Sequence, residues 1–156
     1  MRSSRKWERV LEARVDDIRV CRSYELPFED SSIDLVYCFQ SAHHFVRHRR
    51  TLREIHRVLK AGGRALYIHE PVCRAYIHSL AHRRVNRKRP AVPEDVLIYP
   101  RIIGLARQAG FKAGIALLPS IQNRGEKETI YYLFLKMIPG LERLVPCTGD
   151  FVFEKP

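Results

Sequence analysis

The sequence of 156 residues lacks the features of several functional classes. No apolar run is long enough to span a membrane, and the charged start MRSSRKWERV has no apolar segment behind it of the kind a secretory signal needs. The four cysteines include no C-x-x-C pair, which argues against a zinc site or a disulfide framework. We therefore expect a cytoplasmic protein with buried free thiols and no transmembrane segment.

Glycine is missing from the pattern that nucleotide-binding proteins use. None of the eight glycines forms a G-x-G pattern. The segment AGGRAL follows a predicted helix and precedes a predicted strand, which is the reverse of the order in a phosphate-binding or nucleotide-binding loop. Nothing in the sequence is therefore predicted to form such a loop.

Acidic residues are the minority, with 17 Asp and Glu against 28 Lys and Arg, which gives a net charge of +11. The positive charge is concentrated in residues 47–50 and 82–90 and favours anionic partners. The second run contains no interleaved aromatic residue on which a single-stranded nucleic acid would stack. We expect a solvated basic surface, and nucleic-acid binding is the less favoured alternative.

The apolar pattern predicts an α/β fold that forms a single domain over residues 1–156. Strand 33–39 is almost continuously apolar, and a helix and a Gly-Gly stop separate it from strand 64–71, which indicates a βαβ unit. Helices are predicted over 4–14, 51–60, 100–111 and 126–138 and in part of 72–92, and further strands over 17–21, 112–119 and 149–156.

Local signals refine three of these helices. Thr51 and Glu54 have the spacing of a capping box, and Gly110 is placed to end helix 100–111 as a C-cap. Tyr131 and Tyr132 could help to roof a pocket. The last helix is expected to bury an apolar face in the core or against a partner, and this face consists of Ile130, Leu133, Phe134 and Met137.

Polar side chains follow three of the predicted strands at their carboxyl ends. Arg22 and Ser23 follow the first strand, the segment 39–44 follows the second, and His69 and Glu70 follow the third. In open α/β sheets ligands bind beyond the carboxyl ends of the parallel strands. We therefore expect these residues to meet at one rim of the sheet.

Three segments carry a resemblance to a known family: ELPFEDSSIDLVYCFQSAHHF, LREIHRVLKAGGRALYIHEP and IIGLARQAGF. They resemble the class I S-adenosylmethionine-dependent methyltransferases, particularly the small-molecule branch that includes the ubiquinone and menaquinone methyltransferases. The similarity covers residues 17–118. It implies a Rossmann-like sheet that is mostly parallel with an antiparallel last strand and helices on both faces. It also implies S-adenosylmethionine as cofactor and a small organic molecule as methyl acceptor.

The resemblance assigns roles to individual positions. Phe39 and Gln40 match the segment beside the methionine part of the cofactor, and Arg22 and Ser23 match the positions that contact adenine. The paired histidines match those that face cofactor and substrate. The candidates for a catalytic base are His43, His44 and Glu70.

Each candidate base also has a structural interpretation. One histidine of the pair can pack while the other caps the following segment. Glu70 is expected to pair with one of the many arginines. His44 and His48 have metal-clamp spacing, but the sequence places no third ligand near them, so we expect no metal site.

Two departures from the family pattern qualify the resemblance. The glycine-rich loop and the ribose-binding acid of the family have no counterpart, and Arg22 stands where an aspartate is expected although arginine has no hydrogen-bond acceptor. The family's central strand is also absent, so strand 33–39 is left with an open edge. Strand 17–21, a second copy in a homodimer or a missing N-terminal segment would cover this edge, and we expect a truncated form or fragment of a longer protein.

Three functions are consistent with the sequence. The first is methyl transfer from S-adenosylmethionine to a small organic molecule. The second is a non-catalytic remnant of a methyltransferase that acts as an interaction module. The third is a basic protein that binds nucleic acid.

Overall fold

A mixed β-sheet organises the computed structural model of the chain, which describes residues 17–88, 94–120 and 125–156. Its strands are β1 (Ile33–Phe39), β2 (Leu59–Cys73), β3 (Leu97–Ile98), β4 (Lys112–Leu117) and β5 (Cys147–Glu154). The α-helices are α1 (His48–Val58), α2 (His78–Lys88), α3 (Tyr99–Gln108) and α4 (Glu126–Met137). Short 3-10 helices cover Ala42–His44, Ala75–Ile77 and Leu141–Arg143. The predicted helix at 4–14 lies outside the described residues.

The sheet has the order β1-β2-β5-β4, with β3 beside β2. Strands β1 and β2 are parallel and are connected through α1, so the predicted βαβ unit is confirmed. Strand β5 is antiparallel to both of its neighbours, β2 and β4. The predicted fold class, an α/β sheet with an antiparallel last strand and helices around it, is confirmed.

One face of the sheet carries an aromatic core. Tyr67, Phe151 and Phe153 are fully buried and contact one another, with the Tyr67 and Phe153 rings 5.1 Å apart. Helices α1 and α3 add aliphatic side chains to the same core cluster, among them Leu52 and Ile102. This packing holds β1 and β2 against α1, and the candidate site lies where the ladder between β1 and β2 ends.

The start of α1 differs from the prediction. The helix begins at His48, and Thr51 lies fully buried inside it, where its hydroxyl is hydrogen-bonded to the Ser23 hydroxyl at 3.0 Å. Glu54 accepts hydrogen bonds from the Leu26 N–H and from Arg57. The predicted capping box is therefore wrong. Thr51 bonds to Ser23, and Glu54 bonds to Leu26 and to Arg57 in the next turn of α1.

The predicted strand at 17–21 does not form. Among the described residues its backbone pairs with no other strand, and the nearest ladder contact is an isolated bridge between Arg22 and Glu25. Ile18 and Val20 are exposed. β-Branched residues favour a strand only where a neighbouring strand supplies hydrogen bonds, so this segment does not cover the edge of β1.

Two apolar surfaces remain exposed on the described part of the chain. On β1, the side chains of Leu35, Tyr37 and Phe39 alternate onto one face and are all exposed, Tyr37 by 67%. On α4, Tyr132 and Leu135 are buried, whereas the face predicted to be buried (Ile130, Leu133, Phe134 and Met137) is exposed. The prediction of a buried face within this chain is wrong, because a helix that is apolar on most sides does not encode which side packs.

The four cysteines are free thiols, of which Cys73 and Cys147 are buried, Cys38 is partly buried and Cys21 is exposed. Burial raises the pKa of Cys38 and of Cys73 to about 11. At pH 8 only about one thiol in a thousand is then ionised at each of these two positions.

We expect a maleimide reagent to modify Cys21 first, with the other three cysteines reacting only after denaturation. Rapid modification of Cys73 in the native protein, detected by peptide mass spectrometry, would contradict this packing.

Gly110 ends α3, as the sequence predicts, with a left-handed φ of +103°. A Cβ at this position would lie 2.8 Å from Nε2 of His56, whereas a Cβ at Gly104 on the same helix would meet nothing within 4 Å.

We expect Gly110→Ala to lower the free energy of unfolding by about 1–3 kcal/mol. The control Gly104→Ala is expected to raise it by up to about 1 kcal/mol. Denaturant unfolding measures both, and equal effects would argue against the strained conformation.

Candidate functional site

The parallel ladder between β1 and β2 ends at Phe39 and Ile68, and the residue that follows each of them has a left-handed backbone. The prediction that His69 and Glu70 come after the end of their strand is wrong, because β2 continues to Cys73 and both residues lie inside it, where the register of its ladder with β5 shifts. Gln40 has a φ of +46° and His69 a φ of +58°, both unusual for residues other than glycine. The Gln40 N–H donates to the Ile68 carbonyl at 3.0 Å, and the His69 N–H donates to Oδ1 of Asp150 at 2.7 Å. The first bond holds the segment after β1 beside β2, and the second joins β2 to β5, so that Gln40 and His69 lie at one rim.

A buried carboxylate organises this rim. Glu70 is 0% exposed, and its Oε1 accepts hydrogen bonds from the backbone N–H groups of Ser41 and Ala42, each at 2.8 Å. Its Oε2 accepts from the His43 N–H at 3.1 Å and lies 2.7 Å from Nδ1 of the same histidine. The expected pairing of Glu70 with an arginine is wrong, because the turn at 41–43 supplies the hydrogen-bond donors instead.

The electrostatics of Glu70 determine the state of His43. Burial favours the neutral carboxyl, but the hydrogen bonds from the His43 ring and from the N–H groups of Ala42 and Ser41 outweigh it and lower the pKa of Glu70 below its ordinary value. A carboxylate can only accept hydrogen bonds, so Nδ1 of His43 carries the proton. In the neutral imidazole, Nε2 is then the nitrogen with a free lone pair.

The rim opens into a cavity of about 930 Å³, here called the strand-end cavity. It contains Gln40, His43 and His44 of the predicted site residues, and the two histidine rings lie 4.1 Å apart. His43 is 8% exposed and His44 is exposed. The rest of the lining is His69, Pro71, Arg84, Val85, Glu94, Gly125, Glu126, Lys127, Glu128, Tyr132 and Thr148.

Three predicted cofactor-binding residues do not line the strand-end cavity. Phe39 is exposed, and its ring stacks on His69 with 6.0 Å between the ring centroids. Arg22 is exposed and lies 3.7 Å from Glu25, and the Ser23 hydroxyl is bonded to α1 through Thr51. Their roles toward a cofactor remain predictions that rest on the resemblance alone.

A second cavity of about 760 Å³ lies beside the first and shares His43, His44 and Glu94 with it. We call it the arginine–histidine cavity, because its lining includes Arg47, His48, Arg49, Arg50, His78, His82 and Arg101. The sequence singled out the basic run at 47–50 but gave no sign that α2 and α3 would bring His78, His82 and Arg101 to it. Among the described residues no group of three or more side chains is arranged to hold a metal ion.

Comparison with known proteins relates the first part of the chain to methyltransferases. The family described as Methyltransferase domain matches residues 2–67. The uncharacterized methyltransferase YcgJ of Bacillus subtilis is 39% identical over 64 residues, which are 38% of this chain and 25% of YcgJ. The 27-O-demethylrifamycin SV methyltransferase of Amycolatopsis mediterranei is 41% identical over 61 residues, which are 36% of this chain and 22% of that protein. These matches relate the first part of the chain to methyltransferases.

Solved structures support the methyltransferase fold over nearly the whole chain. The crystal structure of YcgJ gives a TM-score of 0.65 at 15% identity and covers 99% of this chain and 77% of its own. The geranyl diphosphate C-methyltransferase of Streptomyces coelicolor, in complex with Mg²⁺, geranyl diphosphate and S-adenosyl-L-homocysteine, gives 0.62 at 15% identity and covers 99% and 57%. The predicted methyltransferase resemblance is confirmed. The sequence matches span a quarter or less of the two curated relatives, so activity and substrate remain to be proposed.

The Glu70 carboxylate provides a test of the site's construction. We expect Glu70→Gln to lower the free energy of unfolding at pH 7 by about 1–3 kcal/mol, because the amide N–H groups would face backbone donors and leave them unsatisfied. Since the pKa of Glu70 is lowered by folding, its contribution is present above the pKa of the unfolded carboxyl and is lost as the pH falls through the folded one.

The difference between wild type and Glu70→Gln should therefore shrink below about pH 4. Denaturant unfolding at both pH values measures it, with Glu25→Gln as an exposed control whose effect should stay within about 0.5 kcal/mol. A pH-independent difference would mean that the charge of Glu70 is not what stabilises the turn.

Proposed function

We propose that the chain takes part in S-adenosylmethionine-dependent methyl transfer to a small organic molecule bound in the strand-end cavity. The observation that carries the proposal is the buried Glu70–His43 pair, which holds an imidazole beyond the carboxyl end of β1 and beside its parallel neighbour β2. The names of the curated relatives support the same reaction class.

In this proposal His43 is the general base. Glu70 holds the Nδ1–H, and Nε2 accepts the proton that the acceptor loses as it is methylated. The negative carboxylate then stabilises the imidazolium, and the three backbone hydrogen bonds to Glu70 keep the pair in place during the transfer. His44, exposed beside His43, contacts and orients the acceptor.

The cofactor supplies a methyl group on a positively charged sulfonium. The strand-end cavity fits the aminocarboxypropyl end of such a molecule, because its lining places carboxylates (Glu94, Glu126 and Glu128) and cations (Arg84 and Lys127) around Gln40. For the adenosyl end of the cofactor, this sequence has no counterpart of the family's glycine-rich loop.

Calorimetric titration tests whether the cofactor binds. We expect S-adenosyl-L-homocysteine to bind saturably in the micromolar range, and His43→Gln to change its affinity by less than about threefold, because the proposed role of His43 is toward the acceptor. Absence of binding at millimolar ligand would favour the non-catalytic remnant.

Transfer of a labelled methyl group from S-adenosylmethionine to a pool of small organic molecules tests the base. We expect His43→Gln to reduce it by about 10²–10⁴-fold, with a smaller loss for His44→Gln. Loss of cofactor binding in His43→Gln with the fold intact would instead assign His43 to the cofactor.

We also propose that the exposed side chains of Leu35, Tyr37 and Phe39 are covered in the working protein by a second copy or by a preceding segment of a longer polypeptide. Among the described strands β1 is an edge strand, and exposed apolar surface of this kind favours packing against another polypeptide. The free thiols are consistent with action in the cytoplasm, which we propose as the compartment. No helix among the described residues is long and apolar enough to cross a membrane.

A further inference from the structure

We propose that the arginine–histidine cavity binds the anionic group of the methyl acceptor, and that this group is a phosphate. The inference rests on the proposed function, because it assigns a substrate class to the same site. His43 and His44 line both cavities, so a molecule anchored by its phosphate in one extends past the histidine pair into the other.

The charges of the cavity point to a multiply charged anion. Four arginines line it, three from the start of α1 (Arg47, Arg49 and Arg50) and Arg101 from α3, against two carboxylates. One of these carboxylates, Asp95, is already held by Nε2 of His78 at 2.9 Å. Within the described residues no ion pair involves Arg49, Arg50 or Arg101. The excess of positive charge is therefore not balanced inside the protein.

The position of three of these arginines strengthens the argument. The first turn of a helix carries a partial positive charge and normally attracts acidic side chains. The first turn of α1 contains no acidic residue, its N-cap is Arg47, and no side chain caps it. The positive charges of these arginines are unfavourable beside the partial positive charge of the helix N-terminus. A bound anion would offset this repulsion and the repulsion among the arginines.

His48 supplies an independent observation. It also lines the cavity, and both of its ring nitrogens are buried without a hydrogen-bond partner. Buried polar atoms are normally paired, because an unpaired one loses its hydration without compensation. Burial lowers the pKa of His48, so its ring is neutral at pH 7 and has one N–H to donate. A phosphate oxygen would satisfy that donor.

Phosphate fits this set of groups better than a single carboxylate does. Guanidinium groups bind phosphate oxygens in a bidentate manner, and the arginines here come from two separate helices. Two or more guanidinium groups approaching from different sides match the several oxygens and the double charge of a phosphate monoester.

Titration calorimetry with inorganic phosphate at constant ionic strength tests the site. The test variant is Arg49→Gln with Arg101→Gln, which removes one cavity arginine from each helix. The matched control is Arg53→Gln with Arg107→Gln, which removes the same charge from exposed positions on the same helices outside the cavity. We expect the test variant to weaken phosphate binding about tenfold or more and the control less than about twofold.

Equal weakening in both variants would overturn the proposal, since the binding would then reflect only the net charge of the chain. Absence of measurable phosphate binding to the wild type would overturn it as well. Circular dichroism and unfolding midpoints establish that both double variants are folded, and all four positions are exposed.

A second titration, with S-adenosyl-L-homocysteine at saturation, separates the two sources of an anion. Unchanged phosphate affinity supports binding of the acceptor's phosphate, whereas competition by tenfold or more would assign the arginines to the cofactor's own carboxylate and overturn the proposal. Arginine-dependent phosphate binding in a protein that binds no S-adenosyl-L-homocysteine would support the anion site and overturn methyl transfer.

Discussion

The candidate site depends on one buried carboxylate. A charge removed from water is costly unless its oxygens are fully hydrogen-bonded, and Glu70 meets this condition through three backbone N–H groups and one imidazole. Because those donors belong to the segment after β1 while Glu70 belongs to β2, the same bonds hold that segment against β2. The orientation of His43 follows directly from this arrangement.

The two faces of the sheet differ in how far their apolar side chains are buried. One face carries the aromatic core of Tyr67, Phe151 and Phe153, which anchors α1 and α3. The opposite face presents Leu35, Tyr37 and Phe39 to solvent along the edge strand β1. The exposed face of α4 adds further apolar surface. Apolar surfaces of this kind are typical of positions where another polypeptide packs.

The histidine pair separates two cavities of different electrostatic character. The strand-end cavity mixes carboxylates with cations, whereas the arginine–histidine cavity carries four arginines against two carboxylates. Such a division suits an acceptor whose anionic group lies in the arginine–histidine cavity while its reacting end extends past the histidine pair toward the cofactor in the strand-end cavity.

Local features of the sequence predicted the βαβ unit, the glycine that ends α3 and the position of Gln40 and His43 just after β1. These follow from side-chain periodicity, backbone preference and the position of residues relative to a strand. The antiparallel last strand was implied by the family resemblance, and Glu70 lies inside β2 and not after its end as predicted. The choice of partner was not predictable, because it depends on contacts distant in sequence. Thus Glu70 binds the 41–43 turn instead of an arginine, Thr51 binds Ser23 instead of capping its helix, and residues 17–21 find no strand beside them. Only tertiary packing brought His48, His78 and Arg101 together, since they come from three separate helices that nothing in the local sequence relates.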